Sequence, residues 1–352
     1  MANIAQAIRL ALHVGETRLG VSEIFGEDVG PPLGGVFTCT QGLKTTWNSP
    51  LDERGIVGTA FGLGLAGQRT VAEIQFCDYI YNSIDLLKLA GNCCWSSSGQ
   101  FNVPIVIMTP VGSGIHGSLY HSHSFDAVMT HIPGWKIVLA STPLDAYGLM
   151  ISAIRDPNPV MFLYPKALIR IQGTEKIPGE PESPRELSRM IDAPVGDRRD
   201  GWEPSWPELP DFSVPIGKGK VLVPGTDLTV VTYGRTAPIA ERIARRIADG
   251  GVFAEVIDLR SLWPWDRDLV LSSVRKTKRF LALNEDTEVT NFGEHLVRVV
   301  TEACFYELEA PPHLLAGEAT PGIGLAWSLE SNQVPQEHHI ERAIRDLARI
   351  SA

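Results

Sequence analysis

Apolar residues alternate between strand-like runs and helical spacing along most of the chain. Short continuous apolar runs predict buried strands, and apolar residues three and four positions apart predict helices. The predicted strands span 71–76, 103–109, 136–141, 160–164, 227–233, 254–259 and 279–283. The predicted helices span 1–19, 55–67, 79–93, 124–131, 144–155, 237–248, 266–274, 292–304 and 335–350. This alternation predicts an α/β protein in which mainly parallel sheets are covered by helices.

The alternation stops between residues 172 and 212. This segment is rich in proline and charged residues and contains Trp202 and Trp206. Such a composition predicts a linker or excursion and not a core, although the two tryptophans indicate that the segment packs against the protein. We therefore predict a first domain at 1–171, a proline-rich acidic insert at 172–212 and a second domain at 213–352.

Composition and charge narrow the class of protein. A chain of 352 residues with 44% hydrophobic content is long enough to form two domains with full cores. Its net charge of −10, without a basic run, argues against a nucleic-acid partner. The chain shows no signal-peptide pattern or apolar run that would span a bilayer, and its cysteines lack C-x-x-C spacing. We expect a cytoplasmic protein with reduced thiols and no membrane partner.

Glu53 is the first candidate for acid–base chemistry. It lies in the segment 49–58, immediately before a predicted helix that is made largely of glycine and alanine. Glycine inside a helix costs about 0.5–1 kcal/mol relative to alanine, so its density there indicates a close approach to another group. The alternative is that Glu53 is a solvent-exposed carboxylate that favours the positive end of the helix.

A second candidate region is the loop that follows the predicted strand at 103–109. Residues 112–117 fit the pattern G-x-G-x-x-G, but no predicted helix opens within them, which argues against dinucleotide binding. The same loop carries His116, His121 and His123. Because loops at the carboxyl ends of parallel strands commonly bind ligands, these imidazoles are candidates for a reaction centre; the alternative is a polar surface loop.

Several short motifs occur in one order along the chain. They lie at 26–30, 34–37, 50–58, 72–79, 119–124, 153–156, 214–218 and 256–260. Together they resemble the beta subunits of the thiamine-diphosphate-dependent 2-oxoacid dehydrogenases, the transketolase-like decarboxylating component. The resemblance covers nearly the whole chain outside the insert and implies a pyrimidine-binding domain followed by a transketolase-type C-terminal domain.

The resemblance implies a role for individual residues. It places Glu53 at the pyrimidine ring of thiamine diphosphate, where a carboxyl group hydrogen-bonded to a ring nitrogen relays a proton, and it places Tyr79 against that ring. A carboxyl with this role is expected to be desolvated and to have a raised pKa. His121 takes the position of a pocket histidine that orients the substrate or donates a proton. The remaining cofactor-binding positions are Leu51, Gln75 and Glu27.

The resemblance also implies ions and partners. A potassium site built largely from backbone carbonyls maps to Ile105, Ala153, Ile154, Asp156 and Asn158. Thiamine enzymes hold the diphosphate through magnesium on a Gly-Asp-Gly segment, and this chain has none, so an alpha subunit must supply that half of the site. The implied assembly has two alpha and two beta chains and passes its acyl group to a lipoyl-bearing acyltransferase core.

We therefore expect oxidative decarboxylation of a 2-oxoacid, with a branched-chain substrate favoured over pyruvate. The alternatives are a scaffold subunit without chemistry and an acetoin-cleaving relative. The chain departs from the family in a shorter segment at 42–49, in His123, in the insert and in Tyr164, which stands where glutamate is common. We also predict that an acidic set near Phe305 docks the acyltransferase: Glu285, Asp286, Glu288, Glu294, Glu302, Glu307 and Glu309.

Overall fold

Helices and strands alternate along the chain in the order that the hydrophobic pattern predicts. The structure is a computed structural model that describes residues 1–199 and 201–350. Its strands are β1 Val21–Gly26, β2 Thr46–Asn48, β3 Arg69–Glu73, β4 Ile105–Val111, β5 Lys136–Leu139, β6 Val160–Pro165, β7 Lys220–Val223, β8 Leu228–Thr232, β9 Ala254–Asp258, β10 Ser261–Trp263, β11 Phe280–Thr287 and β12 His313–Gly317.

Besides these strands, the regular secondary structure consists of α-helices and short 3₁₀ helices. The α-helices are α1 Ile4–Arg18, α2 Glu53–Leu65, α3 Ile84–Ser96, α4 Asp126–Thr130, α5 Pro143–Arg155, α6 Pro184–Ile191, α7 Thr236–Ala248, α8 Arg267–Thr277, α9 Phe292–Cys304, α10 Trp327–Gln333 and α11 Glu337–Arg349. Short 3₁₀ helices span Cys77–Ser83, Lys166–Leu168, Gly196–Arg199 and Phe305–Glu307.

The chain folds as two compact units, and each unit combines segments from separate parts of the sequence. The first unit contains Met1–Pro110, Ile132–Tyr164 and Leu168–Ile216. The second unit contains Val111–His131 and Pro165–Ala167 together with the chain from Gly217 onward. The loop that carries His121 therefore packs with the second unit, although it follows a strand of the first. The domain boundaries that the sequence predicts at residues 172 and 213 stay predictions.

The first unit is built on a sheet of parallel strands. Six of its strands lie in the order β5-β6-β4-β3-β1-β2, and the pairs β1–β2, β1–β3, β3–β4 and β5–β6 are parallel. Every residue of β4 and β6 is buried, as expected for strands that are covered on both faces. Helices α1 and α5 pack together on this core with their apolar faces. The result is the α/β architecture that the alternation predicts.

The second unit has its own sheet, in the order β12-β11-β8-β9-β7. Its pairs are parallel except β7–β9, which is antiparallel. Strands β8 and β9 are entirely buried, and the apolar faces of α7 and α11 pack against this sheet. Each unit thus has a separate hydrophobic core.

The structure differs from the predicted elements mainly in short strands. The hydrophobic pattern does not reveal β1, β2, β7, β10 and β12, because these strands are short or carry polar residues. The helix predicted at 79–93 begins instead as the 3₁₀ turn Cys77–Ser83 and continues as α3 from Ile84. Within the described part of the chain, none of the helices has the length and apolar character that spanning a bilayer requires.

Candidate functional site

Glu53 is the first residue of α2, in the first unit. Asp52 before it has an extended backbone, so the chain turns into the helix immediately ahead of the carboxyl group. The side chain of Glu53 is half-buried, and its charge is favoured by the positive end of the helix dipole. The sequence prediction of a carboxylate at this helix start is therefore met by the geometry.

Glu27, Gln75 and Tyr79 gather around this carboxylate. Glu27 follows β1 and Gln75 follows β3, and the register that pairs Gly26 with Glu73 brings the ends of these two strands to one edge of the sheet. The Gln75 side-chain amide donates hydrogen bonds to the Glu27 carbonyl oxygen at 3.3 Å and to the carboxylate of Asp28 at 3.2 Å. Glu27 and Tyr79 thus lie close enough to Glu53 to interact with its charge, and Gln75 is linked to them through Glu27.

The electrostatics of this pocket follow from its crowded carboxylates. Burial raises the pKa of Glu27, and the charges of Asp28 and Glu53 raise it further. Burial also raises the pKa of Tyr79, with contributions from Asp78, Glu53 and Glu27. Because both shifts depend on the charge of Glu53, the three groups form one interacting set.

Three aromatic side chains pack against one another next to Glu53. Tyr79 makes an edge-to-face contact with Phe76 at 5.7 Å between ring centroids, and Phe76 makes a similar contact with Phe37 at 6.0 Å. These contacts fix the Tyr79 ring as a flat surface next to Glu53. Leu51, the remaining predicted pocket residue, is 74% exposed in this chain.

Glu73 is a buried acid whose environment the sequence does not reveal. Its carboxyl group is fully buried in β3 and accepts a hydrogen bond from the hydroxyl of Tyr164 at 2.9 Å. Burial raises its pKa to about 7, despite the opposing effect of this hydrogen bond. The Tyr164 hydroxyl is thus the donor that this buried acid meets. The available sequence signal was one acid inside the apolar run 71–76.

The predicted cation positions meet at another edge of the same sheet. The Arg69 guanidinium donates to the carbonyl oxygen of Ile154, and to that of Asp156 at 3.2 Å. The Asp156 carboxylate pairs with Lys136, and it accepts the backbone N–H of Asn158 at 3.0 Å. The Asn158 side-chain oxygen is buried without a hydrogen-bond partner among the described residues. The carbonyl oxygens of Ile154 and Asp156 therefore already accept hydrogen bonds from the Arg69 guanidinium. The side-chain oxygen of Asn158 has no such partner among the described residues.

The remaining two of these positions are part of regular structure. Ile105 is the first residue of β4 and pairs in register with Thr70, which follows Arg69. Ala153 lies in the last turn of α5, where its carbonyl oxygen accepts the backbone N–H of Asp156 at 3.2 Å. The main chain thus brings all five predicted positions to the neighbourhood of Arg69.

His121 lies in the second unit, in the loop between β4 and α4. Its backbone N–H donates to the Ser118 carbonyl oxygen at 3.3 Å, and its side chain is half-buried. His123 is also half-buried and lies near Asp286; burial raises the pKa of Asp286 to about 6, and His123 opposes part of this rise. No helix opens within residues 112–117, which agrees with the exclusion of a dinucleotide site there.

The structure corrects the predicted acidic docking set. Asp286 is buried and accepts the backbone N–H of Ala127 at 3.3 Å. The carboxylate of Glu285 is nearly buried and pairs with Arg235 at 2.7 Å. Both acids therefore serve contacts inside the second unit, and the prediction that they belong to an exposed docking face is wrong. The exposed members are Glu288, Glu294, Glu302 and Glu307.

Comparisons with known proteins agree with this fold. Residues 3–172 match the family model for the transketolase pyrimidine binding domain, and residues 217–340 match the transketolase C-terminal domain. A solved structure described as a split-gene transketolase, an inactive beta4 tetramer, superimposes with a TM-score of 0.69. It covers 100% of both chains at 18% sequence identity, and so it supports the fold alone.

Curated relatives are closer in sequence. The beta 2 subunit of a mitochondrial 2-oxoisovalerate dehydrogenase from Arabidopsis thaliana is 36% identical over 97% of this chain and 88% of its own length. The 2-oxoisovalerate dehydrogenase beta subunit of Pseudomonas aeruginosa is 38% identical over 90% of this chain and 87% of its own length. A pyruvate dehydrogenase E1 beta subunit from Acholeplasma laidlawii is 35% identical over 98% and 96%.

The two units, their sheets and the two matching family models define a transketolase-like protein of the thiamine-diphosphate-dependent class. Within this class, the identities to curated relatives over nearly the whole chain are decisive. The chain belongs to the family of 2-oxoacid dehydrogenase beta subunits, and it is an enzyme component of the oxidoreductase type.

Proposed function

We propose that this chain forms half of the active site of a branched-chain 2-oxoacid dehydrogenase. The observation that carries the proposal is the gathering of Glu27, Gln75 and Tyr79 around Glu53 at the start of α2. The relatives named for 2-oxoisovalerate favour a branched-chain substrate, and the one named for pyruvate makes pyruvate the next candidate. The reaction is oxidative decarboxylation with transfer of the acyl group to a lipoyl group.

The donor set suits the aminopyrimidine of thiamine diphosphate, since it combines a carboxyl group with an aromatic ring. Thiamine diphosphate, when bound, supplies the carbon nucleophile and accepts the electron pair that is left when carbon dioxide departs. Glu53 holds and returns a proton at the pyrimidine nitrogen, and Tyr79 packs against the ring. Gln75 fixes the main chain at Glu27 through its hydrogen bond. His121 orients the substrate or donates a proton to it.

The other half of the site comes from an alpha subunit. Diphosphate and magnesium require hard oxygen ligands, and this sequence lacks the Gly-Asp-Gly segment that provides them in thiamine enzymes. Glu53 is only half-buried in this chain, so the alpha subunit also completes its desolvation. The proposed assembly contains two alpha and two beta chains, docks on a lipoyl acyltransferase core and is located in the cytoplasm.

Potassium belongs to the proposal because Asn158 offers a buried, unsatisfied oxygen. The guanidinium of Arg69 is the competing occupant, since it donates to the carbonyl oxygens of Ile154 and Asp156. Potassium binding therefore requires Arg69 to yield at least one of these oxygens. Comparing KCl with NaCl in the binding experiment below distinguishes the two arrangements.

The experiment is calorimetric titration of thiamine diphosphate and magnesium into this chain alone and into the chain assembled with its alpha subunit. We expect tight, magnesium-dependent binding only in the assembly. The variant Glu53→Gln keeps the size and hydrogen bonding of the side chain but removes the proton relay. It should therefore still assemble and bind cofactor while decarboxylation falls by about 10²–10⁴-fold.

The matched control is Glu186→Gln, which changes an exposed carboxylate on α6 and should leave decarboxylation unchanged. Tight binding of thiamine diphosphate to this chain alone would overturn the proposal that the chain supplies only half of the site. Near-normal decarboxylation by Glu53→Gln would favour the scaffold alternative. Preference for acetoin over 2-oxoacids in the assembled enzyme would instead favour the acetoin-cleaving alternative.

A further inference from the structure

The loop that carries His121 has a defined path but no regular secondary structure. Its base is closed by a hydrogen bond from the Gly112 N–H to the His123 carbonyl oxygen at 2.8 Å. Inside this closed loop, His116 and Ser118 have φ angles of 55° and 64°. Since non-glycine residues rarely adopt such angles, the loop must be held by contacts from elsewhere in the second unit.

Two carboxylates hold the first limb of the loop. Glu285 in β11 accepts the backbone N–H of Ser113 at 3.1 Å and its hydroxyl at 2.8 Å. Glu330 in α10 accepts the next backbone N–H, that of Gly114, and lies 2.5 Å from the His116 ring nitrogen Nδ1. The two carboxylate side chains are only 10% and 5% exposed. Hydrogen bonds to ionised acceptors in such surroundings are shorter and stronger than neutral ones.

The first of these carboxylates is itself fixed. Arg235 donates to Glu285 from Nε at 2.7 Å and to the Pro335 carbonyl oxygen from Nη2 at 2.9 Å. The loop passes so close that a Cβ atom on Gly112 would lie 2.0 Å from a carboxylate oxygen of Glu285, and Gly112 has a φ of +84°. A side chain at position 112 would have to displace the Glu285 carboxylate from Arg235 and would be strained at this φ, so glycine is favoured here.

The second limb is held by a different contact. Asp286 accepts the backbone N–H of Ala127 at 3.3 Å, and the adjacent Asp126 is buried. His121 therefore lies between two anchored limbs, and the limb on its N-terminal side depends on Glu330 for the contacts to Gly114 and His116. The acceptor on α10 comes from a residue 216 positions further along the chain than Gly114.

We propose that Glu330 is a positioning residue for His121. One carboxylate oxygen accepts the Gly114 N–H and the other lies beside the His116 ring, and these two contacts hold the loop so that the His121 imidazole is presented in one orientation. The inference rests on the proposed role of His121 in the reaction. Glu330 touches neither substrate nor cofactor in this account and acts only through the loop.

The test uses the assembled enzyme and two substitutions. Glu330→Ala removes both contacts, and we expect kcat to fall about 10–100-fold with a smaller change in KM, because small displacements of a reacting group cost rates of this size. Glu330→Gln retains an acceptor for Gly114 and removes the carboxylate beside His116, so it should recover much of the lost kcat. The control Glu318→Ala changes an exposed acid of the same unit and should have no effect.

A double-mutant comparison separates positioning from general structure. If Glu330 acts through His121, then Glu330→Ala should lower kcat no further in a His121→Ala background. Hydrogen exchange gives a readout that is independent of activity: residues 113–116 should exchange faster in Glu330→Ala, while α11 should be unchanged. If Glu330→Ala does not fold, the same measurements on Glu330→Gln decide the question.

Three outcomes would overturn the proposal. The first is an unchanged kcat in a folded Glu330 variant whose loop exchanges faster. The second is an equal fall in kcat whether or not His121 is present, and the third is a uniform rise in exchange across the second unit. A normal kcat in His121→Ala would instead remove the proposed role of His121, and the exchange data would still report whether Glu330 holds the loop.

Discussion

Glu73 shows how burial changes the chemistry of an acid. The loop above it passes so close that a Cβ atom on Gly35 would lie 2.8 Å from a Glu73 carboxylate oxygen, which is buried without a hydrogen-bond partner among the described residues. Tyr164 satisfies the other oxygen. A carboxyl that has one donor and no nearby cation is easier to bury in its protonated form.

This arrangement predicts that Glu73 lowers stability as pH rises. The ordinary pKa of 4.5 is raised to about 7 in the folded chain, so between these values the folded state retains a proton that the unfolded state releases. Stability is therefore unaffected below about pH 4.5 and falls by up to about 3 kcal/mol as pH approaches and passes 7. Glu73→Gln should remove this loss, so its Tm relative to wild type should rise between pH 5 and 8.

Thermal unfolding at several pH values in this range provides the measurement. Glu186→Gln is the control, because it removes an exposed carboxylate from the same unit. Parallel pH profiles for wild type and Glu73→Gln would show that Glu73 does not titrate in this range.

The insert between residues 172 and 212 is an integral part of the first unit. Its helix α6 buries Leu187 and Ile191, and Trp206 stacks on the His13 ring of α1 at 4.1 Å. Arg9 of α1 is fully buried and donates to the Ile191 carbonyl oxygen at 2.5 Å, to Asp192 at 2.9 Å and to the Thr38 carbonyl oxygen at 2.6 Å. The tryptophans thus correctly indicated packing against protein.

We predict that the hydrogen bonds from Arg9 to the insert contribute to the stability of the folded chain. Replacing it in Arg9→Met leaves the buried carbonyl oxygen of Ile191 without this donor, which costs about 1–3 kcal/mol. We expect a lower midpoint in urea unfolding and faster proteolysis within 172–212. Arg185→Met, at an exposed position of α6, is the matched control. Equal midpoints for the two variants would mean that the insert is held without Arg9.

The whole chain carries a net charge of −10, and its exposed acids suit a basic partner. Glu302 pairs with Arg298 and Glu307 with Arg275, whereas Glu288 and Glu294 are exposed acids of the second unit. Nearby in sequence, Phe305 and Tyr306 are 63% and 98% exposed. The proposed docking of the acyltransferase should therefore depend most on Glu288 and Glu294.

Binding kinetics at increasing salt test this docking. Association should slow as salt rises toward about 0.5 M, because the screening length falls to a few ångström. The double reversal Glu288→Lys with Glu294→Lys should slow association about tenfold and leave the alpha–beta assembly intact. Glu186→Lys, in the first unit, serves as the control. Association that is insensitive to both salt and reversal would place docking elsewhere on the chain.

The sequence alone determined the α/β class and most longer elements, because both follow from local hydrophobic periodicity. It also placed Glu53 at a helix start. Short strands such as β1 and β12 escaped detection, since few residues carry their pattern and their partners define them.

Long-range contacts fixed what the sequence left open. The Ser113 hydroxyl donates to Glu285, 172 positions away. Glu285, which the sequence analysis assigned to a docking face, therefore makes a contact inside the second unit. The raised pKa of Glu73 likewise depends on burial among distant segments, and the hydrogen bond from Tyr164, 91 positions away, opposes the rise. Local periodicity records which residues prefer the interior. Which polar groups meet there depends on how distant segments pack, and no short stretch of sequence contains that information.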